Sequence, residues 1–413
     1  MLDQRLTRRR LLATTRLAAA FGLLASIPAP SPAVAQSDSA AGLPPPDQTG
    51  IEHIVVVMME NRSFDHLLGW LPDHDGQQAG LQYVDKAGVV HATHALAPDF
   101  QGCGFHDPDH SFGGGRVEYN SGACDGWLRA GSNDAFSIGY YGQDDLPFLG
   151  QIAPKFVTPA RYFASILGPT FPNRMYLHAA QTDRLSNTST TSVLPTIWDR
   201  LAAAGVSSGY YYNDLSFLSL WGSVYKSISQ PVGSFLQAAT DGSLPAVSFV
   251  DPAFSSSEAS PANDDHPLHD VRDGEAFLNA LYVAVTSGPA WPSTALVITF
   301  DEWGGFFDHI PPPAGAVTAA EQALGYTDGL RGFRVPCVVV SPWSQHSTVT
   351  RTVFDHTSIL KLIEWRFGLD PLSLRDAQAN NLAEVFDFSN AQLDVPHPNV
   401  PAGPYGNTCA PAG

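Results

Sequence analysis

The chain has 413 residues, 44% of them hydrophobic, and a formal net charge of −18 at pH 7. So acidic a balance argues against nucleic acid as a partner and against electrostatic docking on an anionic membrane. Four cysteines are too few to staple a chain of this length, so a hydrophobic core must carry the fold.

The first 35 residues read as an export signal. Residues 7–12 (TRRRLL) carry a twin-arginine pattern, and residues 11–27 are largely apolar, interrupted at Thr14, Thr15 and Arg16. Ala33-Val34-Ala35 offers a small-x-small cleavage site. An ordinary secretory signal or a membrane anchor is the competing reading; the short, mildly hydrophobic stretch favours the twin-arginine translocase as partner, and a periplasmic or secreted mature chain. Losing the segment removes five Arg and one Asp, which leaves the mature chain near −22. No later stretch reaches the ~18 apolar residues of a membrane helix, so no stable membrane span is expected in the mature chain. Residues 36–50, with Pro44-Pro45-Pro46, read as a flexible linker.

The remainder reads as one α/β domain over residues 51–390 with a Pro-rich tail at 391–413. Continuous apolar runs of strand length lie at 53–58, 209–212, 246–250, 295–300 and 335–340, as expected of parallel strands covered on both faces. Helical spacing appears at 196–204, stopped by Gly205, and at 274–286 and 358–367. Residues 71–165 are rich in His, Asp, Gly and aromatics and read as long loops over one end of the sheet. Cys103 and Cys124 bracket a Gly-rich stretch and are expected to pair; Cys337 reads as a buried thiol and Cys409 lies in the tail.

Two strands run directly into oxygen-rich pairs: HIVVVMMENRSFD into Glu60-Asn61, and ALVITFDEWGGFFDHIPPP into Asp301-Glu302. Ligands of open parallel sheets bind outside the strand carboxyl ends. A single acid there is commonly a helix cap; two pairs at one edge point to a hard cation site suited to Mg²⁺, Mn²⁺ or Ca²⁺ over Zn²⁺. Gly205 to Gly209 matches G-x-S-x-G, but a helix precedes it and a strand follows, the reverse of a nucleophile elbow, which discounts Ser207. GPTFPNR offers Thr170 between prolines, with Asn173 and Arg174 able to bind phosphate oxygens; a Pro-stiffened turn capped by Thr170 is the other reading. His106, His110, His266, His269, His309 and His356 all sit in polar, turn-rich segments.

Taken together, MMENRSFDHLLG, GPTFPNRMYLHAAQT, DEWGGFFDHIPPP, GFRVPCVVVSPWS and FDHTSILKLIEWRFG resemble the bacterial phospholipase C and acid phosphatase phosphoesterase family, within the alkaline-phosphatase-like superfamily, over residues 50 to 370. The resemblance implies an alkaline-phosphatase-like α/β sandwich: a mostly parallel central sheet, helices on both faces and long loops over the strand C-terminal edge. It implies one divalent metal on Glu60, Asn61, Thr170, Asp301 and Glu302, with Thr170 as nucleophile. His110 and His266 would be the acid/base residues, followed by His309 and then His356, and Asn173 would hold a phosphate oxygen. Thr at 170 and the phrases DPDHSFGGGR and SGACDGW lean toward phospholipid substrates; a small phosphate monoester, or a binding protein with an inactive site, stays open. A choline head group would call for an aromatic cage, for which Tyr210, Tyr211, Tyr212, Trp303 and Trp343 are available unless they pack the core.

Overall fold

The apolar runs assemble into one six-stranded sheet in the computed structural model. Its strands are β1 (His53–Met59), β2 (Ser208–Tyr212), β3 (Ser229–Pro231), β4 (Val247–Val250), β5 (Thr294–Phe300) and β6 (Cys337–Val340), in the order β6-β5-β1-β4-β2-β3. β1 pairs in parallel with β4 and β5, and β2 in parallel with β3 and β4. β6 departs from the parallel expectation: it runs antiparallel to β5, with Val339 opposite Val297. An antiparallel strand at the edge of a parallel sheet is a common arrangement, and a bridge from Val157 to Val339 covers its outer side. Ile54 to Met59 and Thr294 to Phe300 are buried throughout, so both sheet faces are covered.

The helices that matter here are α1 (Phe64–Leu68), α2 (Phe112–Tyr119), α3 (Thr170–Ala179), α4 (Ile197–Ala203), α5 (Val232–Asp241), α6 (Val271–Ser287) and α7 (His356–Phe367). α4 starts on a capping box between Thr196 and Asp199 and stops before Gly205, whose φ of +68° suits glycine. Residues 71–165 hold a short hairpin (Gln82–Val84 with Val90–Ala92), α2 and irregular loops. Tyr83 and Trp127 of this insertion share a buried cluster with Trp303 and Phe307, which follow β5. That cluster seats the insertion over the carboxyl ends of the strands.

The structure describes residues 42–255, 261–346, 348–407 and 409; the export signal read at residues 1–35 lies outside them. The described residues form one compact unit. Part of the linker is structured, with a turn at Pro46–Gln48. Among the described residues no helix is long and apolar enough to cross a membrane.

The cysteine pairing expected between Cys103 and Cys124 is wrong. Cys103 bonds Cys409 across 306 residues, with Cα atoms 5.2 Å apart, while Cys124 and Cys337 are buried free thiols. The tail makes this possible by running along α6: Leu393 accepts from Trp291 Nε1, Pro396 from Tyr282, and Asp273 takes the backbone N–H of Tyr405 and Gly406.

Candidate active site

Because β1, β4 and β5 are parallel neighbours, their carboxyl ends deliver Glu60, Asp251 and Asp301 to one edge. Asn61 turns the chain with φ 59°, a left-handed conformation that Asn tolerates, and its N–H donates to Asp301 Oδ1 at 3.0 Å. Gly304 completes the junction: a Cβ there would lie 2.0 Å from the Asn61 carbonyl, so the two motifs meet only through glycine. His356 holds the same strand end from below, its Nε2 2.7 Å from the Asp301 carbonyl and its Nδ1 3.2 Å from the Tyr162 hydroxyl.

Thr170 is the first residue of α3 and is nearly buried; its hydroxyl lies 3.5 Å from Asn61 Oδ1. One helical turn on, Arg174 occupies the same face. Its Nε lies 3.0 Å from Glu60 and 3.2 Å from Asp301, its Nη1 3.0 Å from Asp251, and its Nη2 reaches the Met58 and Met59 carbonyls. Burial works against the guanidinium charge, but Asp251, Glu60 and Asp301 outweigh it and raise the Arg174 pKa. One cation therefore serves three buried carboxylates, with that of Glu302 buried beside them. Burial, then Asp301, holds Glu60 and Glu302 well above the usual carboxylate range, and burial raises Asp251 against the pull of Arg174. Glu302 Oε2 accepts from Gly304 N–H at 2.7 Å, while Oε1 is buried without a hydrogen-bond partner, 3.9 Å from His110 Nδ1.

The histidines divide into two groups. His110 Nδ1 lies 3.3 Å from Asn61 Nδ2, and burial lowers its pKa. Its ring centroid is 5.8 Å from that of His266, and Asp107, His110 and His266 bring ligand-capable atoms within 4.8 Å of one another. The loop carrying His266 is fixed from β1. Arg62 donates to the carbonyls of Asp265 and His266, Asp264 accepts from Glu60 N–H through its carbonyl, and its carboxylate pairs with His269 at 2.6 Å. His309 is not brought there. Its Nδ1 lies 2.5 Å from Asp65, in a cluster closed by Asp308 and Arg334, where Asp65 outweighs burial and raises the His309 pKa.

Three other expectations meet different surroundings. Asn173 is fully buried; its Oδ1 accepts from Ile166 N–H, and its Nδ2 faces the carbonyls of Ile166, Gly168 and Pro169 at 2.7–3.2 Å, so it pins the loop before Thr170 instead of facing a ligand. Four of the five aromatics named for a cage pack inward instead: Tyr210 bonds Asp251, Trp303 bonds Glu118, and Tyr211 and Trp343 are buried; Tyr212 is half-buried and lines a separate pocket beside Tyr225. Ser207 precedes β2, at the opposite edge of the sheet, and its hydroxyl accepts from Ala246 N–H.

A pocket of about 310 Å³ opens over Thr170. Glu60, Thr170, Arg174 and His266 line its floor, and Phe171, Leu215, Phe217, Leu220 and Phe254 its walls. Sequence reasoning passed over Asp251, although AVSFV runs into it as the other strands run into their acids. It also had no signal for Phe217 or Phe254, which come together only in the fold.

The chain was compared with known proteins. A Phosphoesterase family model matches residues 51–370. Phospholipase C B of Mycobacterium tuberculosis (strain ATCC 25618 / H37Rv) is 33% identical over 487 residues, 98% of this chain and 91% of that protein. Non-specific phospholipase C6 of Arabidopsis thaliana is 30% identical over 399 residues, 86% of this chain and 75% of that one. Among solved structures, a protein in the alkaline phosphatase superfamily from Vibrio parahaemolyticus aligns with TM-score 0.41 and 10% identity, over 80% of this chain and 69% of that one. Lipoteichoic acid synthase LtaP from Listeria monocytogenes aligns with TM-score 0.43 and 8% identity, over 81% of each chain. The chain belongs to the Phosphoesterase family and is a hydrolase acting on phosphoric ester bonds.

Proposed function

We propose that this hydrolase is an exported, metal-dependent, phospholipase C-like enzyme that cleaves the phosphodiester of a phospholipid through a phosphothreonyl intermediate. The observation that carries the reading is Thr170 itself. Its hydroxyl sits at a helix start, against Asn61 and beside a surplus of buried carboxylate, at the floor of an apolar-walled pocket. Relatives named phospholipase C support the diester over a monoester, and a disulfide supports an oxidising compartment, periplasmic or secreted.

The donor set fits a divalent ion: Glu60, Asn61, Thr170, Asp301 and Glu302 offer only oxygen, and one oxygen of Glu302 is buried without a partner. Such oxygens suit Mg²⁺, Mn²⁺ or Ca²⁺ over Zn²⁺. When bound, the ion supplies polarisation of a phosphoryl oxygen and a lower pKa for the Thr170 hydroxyl.

Thr170 Oγ1 attacks phosphorus in line, so the new O–P bond forms as the bond to the leaving alcohol breaks. His110, kept neutral by its burial, is suited to take a proton at the Thr170 side. His266, on the pocket floor, delivers one to the leaving oxygen. Water then attacks phosphorus as it gives a proton to His266, the Thr170 Oγ1–P bond breaks, and Thr170 takes its proton back from His110 as the phosphorylated head group departs. Asn173 acts by fixing the loop that presents Thr170, and His309 takes no step in this scheme.

The test is a paired assay of phosphatidylcholine and an aryl phosphate monoester on wild type and Thr170→Ala. Wild type should release diacylglycerol, and the variant should lose at least 10³-fold of turnover while keeping its thermal midpoint. Full activity in the variant removes Thr170 as nucleophile; turnover of the monoester alone makes the enzyme a phosphomonoesterase.

A further inference from the structure

The walls of the Thr170 pocket continue outward into a surface unlike the rest of the protein. Among large hydrophobic side chains of the described residues, the three most exposed are Val193 at 91%, Val224 at 65% and Leu215 at 58%. All three belong to two segments, 186–195 and 215–225, that meet at the pocket mouth. Ser192 N–H donates to the Leu220 carbonyl at 2.7 Å, and Trp221 Nε1 to the Leu194 carbonyl at 2.9 Å. Leu215, Ser219 and Leu220 line the pocket itself.

Neither segment contains a charged residue, although 15% of the chain is charged. At the borders of the second segment Asp214 and Lys226 are exposed, one of each sign, so they bring no net charge to the face. Asp214 accepts from the N–H groups of Phe254 and Ser255. Arg184 is nearly buried, paired with Asp183 and donating to the Thr188 and Thr190 carbonyls, which holds the first segment in its outward course. The surface is thus hydroxyl-rich, without net charge and studded with aliphatic tips. A loop buried against protein would show the aliphatic tips covered, and a face built for anionic lipid would show a cluster of lysine or arginine, where this one has Lys226 alone, offset by Asp214.

We propose that this face docks on a lipid surface of zwitterionic head groups, with Val193, Leu215 and Val224 entering the boundary between head groups and acyl chains. The proposal rests on the reading that the pocket takes a phospholipid, whose glyceride portion would then pass from the bilayer to Thr170 along the apolar wall. Insertion of aliphatic side chains at an interface adds affinity in proportion to the apolar area removed from water, without any contribution from opposite charge. Such a face suits a chain whose net charge of −18 denies it electrostatic attraction to anionic membranes.

The test separates docking from catalysis. Vesicle binding is read by sedimentation with phosphatidylcholine vesicles in a Thr170→Ala background, which spares the lipid. Turnover of a water-soluble aryl phosphocholine is read in the wild-type background. The double substitution Val193→Asp and Val224→Asp, at positions that do not line the pocket, should lower vesicle binding at least tenfold and leave kcat/KM for the soluble ester within twofold. Unchanged vesicle binding overturns the proposal. So does binding confined to phosphatidylglycerol vesicles and abolished by salt, or a wild-type dimer that the double variant converts to monomer. Docking that depends on these residues, in an enzyme that leaves the soluble diester intact, supports the face and fails the phosphodiesterase reading instead.

Discussion

Replacing Glu302 by Gln should move stability and metal affinity in opposite directions. The carboxylate is wholly buried, its Oε2 bonded to Gly304 N–H and its Oε1 without a partner, and burial together with Asp301 raises its pKa. Gln keeps the shape and the acceptor for Gly304 and removes the charge. Removing a buried charge that lacks a partner is worth about 1–3 kcal/mol, although the amide Nε2 is left as unpartnered as Oε1. A folded unit spanning residues 37–413 has an unfolding entropy of roughly 0.8 kcal/mol/K, so the gain is about 1–4 °C in Tm. A divalent ion at a hundred times its Kd stabilises the native state by about 2.7 kcal/mol, or roughly 3 °C here, and the variant should lose most of that shift. Because the folded pKa is raised, the destabilisation by the wild-type carboxylate is absent below the unfolded carboxylate range and grows as pH rises through the folded value. The gain in the variant should therefore be larger at pH 8 than at pH 4.5. The assay is calorimetry at both pH values, in EDTA and over titrations of Mn²⁺ and Ca²⁺. A lower Tm in EDTA combined with an undiminished metal shift would refute the reasoning and leave Glu302 as a structural acceptor for Gly304.

Asn173→Ala should cost about 2–4 kcal/mol, because it strips contacts to four backbone groups of the 166–169 loop, and should lower kcat more than it changes KM as Thr170 loses its fixed placement; denaturant unfolding and steady-state kinetics check the two parts. Cys103→Ser should release the tail: thermolysin or chymotrypsin should cut within residues 391–407, at Leu393 or Tyr405, in the variant and in reduced wild type, while oxidised wild type resists. Burial lowers the His110 pKa, so the acidic limb of kcat/KM assigned to it should have its midpoint below 6.5, and His110→Asn should remove that limb along with most of the rate. The stability contributed by a neutral buried His110 is full above pH 6.5 and is lost as pH falls through its depressed folded value.

What was legible in the sequence is what short-range rules govern. Unbroken apolar runs read as covered strands, and the acids at their ends marked the edge where β1 and β5 deliver Glu60 and Asp301. Distance along the chain misled elsewhere. His309 follows Glu302 by seven residues, yet the turn at Gly304 and Gly305, with φ of 64° and 69°, leads the chain to Asp65 and Arg334. Cys103 and Cys124 are near in sequence, and loop-closure entropy favours so short a loop; the course of the tail along α6 decides the pairing instead. The contacts of Asn173 were not legible because an amide beside a nucleophile suits a phosphate as well as it suits three carbonyls, and only packing puts it against the carbonyls.

Arg174 shows the same ambiguity with a further consequence. A guanidinium binds carboxylate and phosphate by one geometry, so its place one turn after Thr170 suggested phosphate, whereas it lies among Glu60, Asp251 and Asp301. One positive charge there cannot balance four buried carboxylates, and the raised pKa values of Glu60, Asp251 and Glu302 express that deficit. Two remedies are open to the protein at neutral pH: to keep protons on the carboxylates, or to exchange them for a cation. Only the second leaves Glu60 and Glu302 ionised beside Thr170 while offsetting the negative charge that would repel a phosphodiester. The divalent ion proposed above would meet both the electrostatic deficit and the chemistry proposed for Thr170, and its affinity should then rise with pH as those protons leave.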